Sequence, residues 1–126
     1  MPKRVLVIED EANILMSLVF VLEREGYDVR SATTGRDGLA EMTREPPDLV
    51  ILDLMLPDLS GYDVCEHARR DPALAGTPIL VLTARAQEAE RQRGLAVGAT
   101  EYLTKPFRVA DLRERVAHLL ADGEGP

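Results

Sequence analysis

Residues 49–53 have the sequence Leu-Val-Ile-Leu-Asp, a continuous apolar run that stops at a carboxylate. Residues 4–8 (Arg-Val-Leu-Val-Ile) and 78–82 (Pro-Ile-Leu-Val-Leu) have the same character. Short uninterrupted apolar runs are typical of strands that are covered on both faces, as happens in parallel sheets. These runs therefore predict the central strands of a parallel sheet.

The segments between these runs have helical character. We predict two further strands, over 27–32 and 101–103, and five helices, over 12–25, from Thr33 or Thr34 to about 44, over 62–70, over 86–97 and over 109–120. Alternating strands and helices imply right-handed crossovers on both faces of the sheet. The predicted fold class is α/β, a doubly wound five-stranded parallel sheet in the order 2-1-3-4-5, flanked by five helices.

The composition limits the classes of function. The chain has 126 residues, enough for one domain, and we predict a single domain over 1–120 with a linker-like tail over 121–126. The net charge of −7 argues against direct binding of nucleic acid, which needs clustered positive charge. No signal peptide and no apolar run approaching roughly 18 residues is present, which predicts a cytoplasmic protein.

Acidic residues follow two of the predicted strands. Glu9 and Asp10 come directly after the first strand, and Asp53 ends the third. In the order 2-1-3-4-5 these strands are neighbours, so their carboxyl ends meet where ligands bind in doubly wound sheets. Three close carboxylates need a cation, and hard oxygen ligands suit Mg²⁺. The alternative is that the acids at 9–11 only cap the following helix.

A hydroxyl and an ammonium follow the other two strands of that edge. Thr83 ends the fourth strand, and Lys105 follows the fifth. Lys3 and Lys105 are the only lysines beside many arginines, which indicates a chemical reason for a compact cation at 105. A metal, a hydroxyl and an ammonium are the groups that stabilise a transferring phosphoryl group. A strand-end Thr and a solvated Lys are the alternative interpretations.

These residues resemble the response-regulator receiver domains of bacterial two-component systems, most closely the receivers of winged-helix transcriptional regulators. The resemblance covers roughly residues 3 to 120. The matching motifs are Val7–Glu11, Pro47–Pro57, Ser60-Gly61, Pro78–Arg85, Gly94-Leu95, Gly98-Ala99 and Tyr102–Phe107.

The resemblance implies a flavodoxin-like receiver fold and a metal-dependent phosphorylation site. Asp53 would be the phosphoacceptor, taking a phosphoryl group from the phosphohistidine of a sensor histidine kinase. Asp10, Asp53 and the backbone carbonyl of Met55 would bind Mg²⁺, with Glu9 acting directly or through water. Many family members have aspartate at position 9, so the glutamate here leaves that last choice open.

The resemblance also assigns a switch. Thr83 and Lys105 would stabilise the phosphoryl group, and Thr83 and Tyr102 would move together on phosphorylation. Pro106 would follow a cis peptide bond. The predicted 86–97 helix is polar, with few large apolar anchors, which favours a shift in its packing. An ordinary solvated helix is the alternative.

The face formed by the 86–97 helix, the fifth strand and the last helix would control a homodimer. The family suggests ion pairs across that dimer, Arg93 with Asp111 and Glu101 with Arg115, although a simple solvated surface is the alternative. The surplus of apolar residues on the first helix would dock the kinase or pack against the last helix. Transcription regulation, through a DNA-binding domain absent from this chain, is the implied output.

Other classes of protein fit less well. A haloacid-dehalogenase-type phosphatase needs a second aspartate two residues after the first, and position 55 is Met. A flavodoxin-like binding module needs a phosphate-cradling loop where this chain has acids at 9–11. The remaining alternative is a stand-alone receiver or pseudo-receiver that acts only by protein–protein interaction. We do not predict a turnover enzyme.

Overall fold

A computed structural model of the protein describes residues 2–84 and 98–122. Nine elements follow one another in this part of the chain. They are β1 (Arg4–Ile8), α1 (Ala12–Arg24), β2 (Asp28–Ala32), α2 (Gly35–Arg44), β3 (Leu49–Asp53), α3 (Gly61–Arg70), β4 (Ile79–Thr83), β5 (Glu101–Thr104) and α4 (Val109–Asp122).

The five strands form one parallel sheet in the order β2-β1-β3-β4-β5. The predicted class and strand order are therefore confirmed. In the register, Ile8 lies beside Leu52 and Asp53 lies beside Leu82. The carboxyl ends of β1, β3 and β4 consequently meet at one edge of the sheet.

The sheet is covered on both faces. Val50 and Leu52 of β3 pack with residues of α2 and α3, whereas Leu49 and Ile51 pack with residues of α1 and α4. Every residue of β3 and of β4 is buried. Neither face of these strands reaches water, which is why their sequences are continuous apolar runs and do not alternate with polar residues.

The predicted end of the last helix needs correction, and one predicted helix cannot be compared with the structure. The last helix continues through Asp122, so Ala121 and Asp122, predicted to begin a linker-like tail over 121–126, are helical. The sequence criterion ended the helix at its last buried leucine, Leu120, but helical hydrogen bonding continues past the last apolar contact. Four helices are described, and the predicted fifth, over 86–97, lies outside the described residues.

Candidate functional site

Three carboxylates meet at the carboxyl edge of the sheet. Glu9 and Asp10 follow β1, and Asp53 ends the neighbouring strand β3. One carboxylate oxygen from each lies within 4.8 Å of the others. Glu9 and Asp53 are only 1% and 6% exposed, whereas Asp10 is exposed. The parallel pairing of β1 with β3 thus brings together the acids that the sequence indicated.

One ammonium group faces these carboxylates. The Nζ of Lys105 lies 3.1 Å from Glu9 Oε1 and 3.5 Å from Asp53 Oδ1. Burial raises the pKa of the Glu9 carboxyl, and the N–H of Glu11 and the Lys105 ammonium offset this only in part. Burial lowers the pKa of Lys105, but its hydrogen bond to Glu9 and the charge of Asp53 outweigh burial and raise it. The two shifts have different causes: burial makes the ionised Glu9 carboxyl less favourable, whereas the neighbouring carboxylates stabilise the Lys105 ammonium.

Helix capping does not account for the acids. Glu11 is the N-cap residue of α1, and its side chain makes no capping hydrogen bond. The Oε2 atom of Glu9 accepts the Glu11 N–H at 3.1 Å, while Oε1 faces Lys105. The Glu9 carboxylate therefore supports the backbone beside the site and also belongs to the charged cluster.

The carboxylates line an open depression of about 490 Å³. Its lining residues are Glu9, Asp10, Glu11, Asp53, Met55, Ala84 and Lys105. Among these described residues the side-chain oxygen donors are all carboxylates, and neither His nor Cys is present. Hard oxygen donors in an open space that also admits water fit Mg²⁺ and do not fit Zn²⁺.

The loop after Asp53, residues 54–60, is closed by its own backbone. Gly61 N–H donates to the Leu54 carbonyl at 2.9 Å, and Met55 forms an isolated antiparallel bridge with Ser60. A Cβ atom at Gly61 would lie 2.8 Å from Leu54 Cα and 2.9 Å from the Asp53 carbonyl oxygen. Glycine is required there because the start of α3 lies against the backbone that carries Asp53.

The predicted switch residues, Thr83 and Tyr102, lie on β4 and β5, the strands that lead to Ala84 and Lys105 in the lining of the depression. Thr83 is 4% exposed at the end of β4, and the next residue, Ala84, lines the depression. The Lys105 N–H donates to the Thr83 carbonyl at 2.7 Å, which ties the two strand ends together. Tyr102 is half-buried, and the Lys105–Pro106 peptide bond is cis.

Two of the residues predicted for a dimer face contact each other within one chain. Arg115 Nη1 lies 2.8 Å from Glu101 Oε1 and also donates to the Tyr102 carbonyl at 3.1 Å. Asp111 is exposed on α4, and Arg93 lies outside the described residues. A pairing of Glu101 with Arg115 across a dimer stays a prediction.

The sequence did not single out two residues that join distant segments, Asp58 near the site and Arg69 at the opposite edge of the sheet. Asp58, at the tip of the 54–60 loop, accepts hydrogen bonds from the start of α2. The Arg69 guanidinium donates to the carbonyls of Gly98 at 2.9 Å and Thr77 at 2.7 Å. Neither contact has a periodic signature, because each joins segments that only the fold brings together; the turn sequence Pro57-Asp58 was the one local signal.

Comparison with known proteins agrees with this geometry. The family model for the response regulator receiver domain matches residues 5–117. The chain is 42% identical over 124 residues to the alkaline phosphatase synthesis transcriptional regulatory protein PhoP of Bacillus subtilis (strain 168), covering 98% of this chain and 51% of PhoP. It is 41% identical over 117 residues to the phosphate regulon transcriptional regulatory protein PhoB of Rhizobium meliloti (strain 1021), covering 93% of this chain and 52% of PhoB.

A solved structure gives the same result. The CheY-like response regulator receiver domain protein from Methanospirillum hungatei JF-1 superimposes with a TM-score of 0.92 at 33% identity, covering 98% of each chain. The chain belongs to the response regulator receiver domain family, which confirms the resemblance in the sequence and the flavodoxin-like fold.

The family consists of signalling domains and not of classical enzymes. The chain spans about half the length of PhoP and PhoB. None of the helices in residues 2–84 and 98–122 has the length and apolar character needed to cross a membrane.

Proposed function

We propose that this chain is a phosphorylation-switched receiver that accepts a phosphoryl group on Asp53 with Mg²⁺ bound beside it. The observation that carries the proposal is the imbalance of charge at the sheet edge. Glu9, Asp10 and Asp53 lie within reach of one cation, and Lys105 is the one ammonium among the described residues that line the depression. Such a site binds a divalent cation and, with it, an incoming anionic phosphoryl group.

Each residue has a distinct part in the transfer. A carboxylate oxygen of Asp53 attacks phosphorus, the bond from phosphorus to the kinase's histidine nitrogen breaks, and the leaving imidazole keeps that electron pair and takes up a proton. Asp10, Asp53, the Met55 carbonyl and Glu9, directly or through water, would hold Mg²⁺, which would neutralise charge on the phosphoryl oxygens. Lys105 pairs with one of these oxygens, and the Thr83 hydroxyl donates to another.

The partner that supplies the phosphoryl group is a sensor histidine kinase. Met16 and Phe20, four residues apart on α1, are 69% and 61% exposed. Met55, two residues after Asp53, is 76% exposed. Large apolar side chains held in water are favourable docking points for a helical partner. This supports docking of the kinase's helical domain at α1 and the 54–60 loop.

Phosphorylation then changes the face that includes β5 and α4. Thr83 moves towards the phosphoryl group and Tyr102 becomes buried, which favours one arrangement of that face over another. The face forms a homodimer in which Asp111 pairs with Arg93, and Arg115 exchanges Glu101 of its own chain for Glu101 of the partner. Relatives such as PhoP and PhoB are transcriptional regulators, so the output is control of transcription in the cytoplasm by a DNA-binding domain outside this chain.

Intact-mass measurement with a small-molecule phosphodonor tests the site. Wild type is incubated with donor, with and without Mg²⁺, beside Asp53→Asn and the control Asp28→Asn, which changes an exposed carboxylate at the start of β2. We expect one Mg²⁺-dependent phosphoryl adduct in wild type and the control, and none in Asp53→Asn. Sedimentation of the phosphorylated form tests the dimer.

A folded wild type that gains no adduct, with a donor active on another receiver, would favour a pseudo-receiver that works by protein–protein interaction alone. An adduct that persists in Asp53→Asn would place the acceptor elsewhere. An adduct without any change in sedimentation would favour a stand-alone receiver that acts as a monomer.

A further inference from the structure

Asp58 joins the loop after the phosphoacceptor to a different helix. Its Oδ1 atom accepts the Gly35 N–H at 2.7 Å, and its Oδ2 atom accepts the Arg36 N–H at 3.0 Å. The same Oδ1 atom accepts the N–H of Leu59 in its own loop at 2.9 Å. One carboxylate therefore connects the tip of the 54–60 loop to the start of α2, more than 20 residues earlier in the chain.

The start of α2 needs these acceptors. The first N–H groups of a helix have no partner within the helix. Thr34, the N-cap residue, accepts only the Asp37 N–H through its side chain, at 3.1 Å. Asp58 supplies acceptors for the two N–H groups before it. Burial opposes ionisation of Asp58, but the N–H groups of Arg36, Gly35 and Leu59 together outweigh burial and lower its pKa.

The helix and the loop are also in close van der Waals contact. A Cβ atom at Gly35 would lie 2.9 Å from Leu59 Cβ and 3.2 Å from Val64 Cγ2. A side chain at position 35 would push the loop away from α2. The close approach and the hydrogen bonds of Asp58 thus hold the loop tip in one place.

Met55 lies in this loop with little packing of its own. Its side chain is 76% exposed, so apolar contacts do not fix its backbone. The bridge to Ser60 and the Gly61–Leu54 hydrogen bond hold the base of the loop. The contacts of Asp58 hold the tip, three residues from Met55.

We propose that Asp58 is a positioning residue for the metal site: by anchoring the 54–60 loop to α2 it holds the Met55 carbonyl where Mg²⁺ binds. This inference rests on the proposed function, in which that carbonyl is a metal ligand. Residues that orient metal ligands contribute to affinity without contacting the ion. Asp58 acts one step further out, through the backbone of the loop.

The test compares Asp58→Ala, Asp58→Asn and Thr34→Ala with wild type. Phosphorylation rate is measured as a function of Mg²⁺ concentration with a small-molecule donor, and Mg²⁺ affinity is measured by calorimetry. Thr34→Ala is the matched control because it removes a hydrogen bond from the same helix end but leaves the contacts of Asp58 in place. Circular dichroism shows that each variant is folded at the temperature used.

For Asp58→Ala we expect the half-saturating Mg²⁺ concentration to rise roughly tenfold, the lower end of the effect of losing a residue that orients metal ligands. The rate at saturating Mg²⁺ stays within about twofold of wild type, because the reacting groups are intact. For Asp58→Asn we expect a half-saturating Mg²⁺ concentration between those of wild type and Asp58→Ala, since one amide oxygen replaces two carboxylate oxygens. Thr34→Ala matches wild type.

Equal Mg²⁺ dependence in Asp58→Ala and wild type would overturn the inference, and so would an equal shift in Thr34→Ala. If Asp58→Ala does not fold, the comparison of Asp58→Asn with Thr34→Ala decides by the same criterion. A wild type that binds no Mg²⁺ overturns the proposed function and this inference together. A wild type that binds Mg²⁺ beside an unshifted Asp58→Ala overturns only the inference.

Discussion

Two clusters of charged side chains in this molecule are built on opposite principles. The first, called the edge cluster because it lies at the outer strand β2 and the end of α2, consists of Arg4, Arg30, Glu41, Arg44 and Glu45. Each of its carboxylates pairs with at least two guanidinium groups. Arg30 lies 2.8 Å from Glu41 and 3.0 Å from Glu45. Arg44 lies 2.8 Å from Glu41, and Arg4 lies 3.2 Å from Glu45. This cluster is complete without a ligand.

The site cluster at the carboxyl edge of the sheet is incomplete. Three carboxylates, those of Glu9, Asp10 and Asp53, lie together, but Lys105 is the one cation that contacts them in the described residues, through Glu9 and Asp53. Glu9 is almost fully buried. Like charges this close repel one another, and burial strengthens the repulsion because water no longer screens it. The difference between the clusters teaches that excess charge held in place by the fold, and not charge as such, indicates a binding site.

The largest effect expected from this comparison is on metal affinity. Asp10→Asn should raise the Kd for Mg²⁺ at least roughly tenfold, because even residues that only support a metal ligand contribute about 10–100-fold. Glu41→Gln makes the same chemical change in the edge cluster and should leave the Kd unchanged. Calorimetric titration of both variants measures this. A shift of similar size in both would mean that general charge, and not the site, attracts the ion.

In metal-free buffer, removing one carboxylate charge should change the Tm in opposite directions in the two clusters. Glu9→Gln should raise the Tm, because burial raises the pKa of Glu9 and so makes its carboxylate costly in the folded protein, whereas an amide is neutral. The amide oxygen can still accept from Lys105, but the NH2 group then faces the Glu11 N–H, and this lost hydrogen bond limits the gain to a few degrees at most. Glu41→Gln should lower the Tm, because Arg30 and Arg44 lose a shared anion. Differential scanning calorimetry at neutral pH with a chelator measures both, and shifts of the same sign would contradict the distinction between the clusters.

The smallest effect is the pH dependence of the edge cluster. The hydrogen bond from Arg44 is the main reason that the pKa of Glu41 is lowered from its ordinary value of 4.5. A lowered pKa means that the unfolded state binds more protons, so Glu41 contributes stability above pH 4.5 and loses it as the pH falls through the folded-state pKa.

Wild type should therefore exceed Glu41→Gln in free energy of unfolding at neutral pH, and the difference should shrink in acid below pH 4.5. Because Glu41 is at the surface, the difference should also decrease with added salt. Urea unfolding of both proteins, at neutral pH and below pH 4.5, measures this difference in free energy of unfolding. A difference that does not change with pH would show that the ion pairs of Glu41 contribute nothing.

Much of the candidate site could be predicted because it follows from strand ends. A continuous apolar run marks a buried parallel strand, and the residue that stops it lies at the sheet edge. Asp53 and Glu9 were predicted in this way, and Lys105 was predicted because it follows the short fifth strand and is one of two lysines. The structure places the three within hydrogen-bonding or ion-pair distance. The pairing of Glu101 with Arg115 inside one chain was not predicted, since the resemblance suggested a contact across a dimer.

The sequence by itself determined the five strands, the doubly wound parallel sheet through the connection rules, and the acids at the strand ends. These features depend on local periodicity and on which residue ends each run. The tertiary structure alone decided that Asp58 caps α2 and that Arg69 holds Gly98. Such contacts form only when segments far apart in the chain are placed to within a few tenths of an ångström of the right distance. No local pattern of residues encodes that placement.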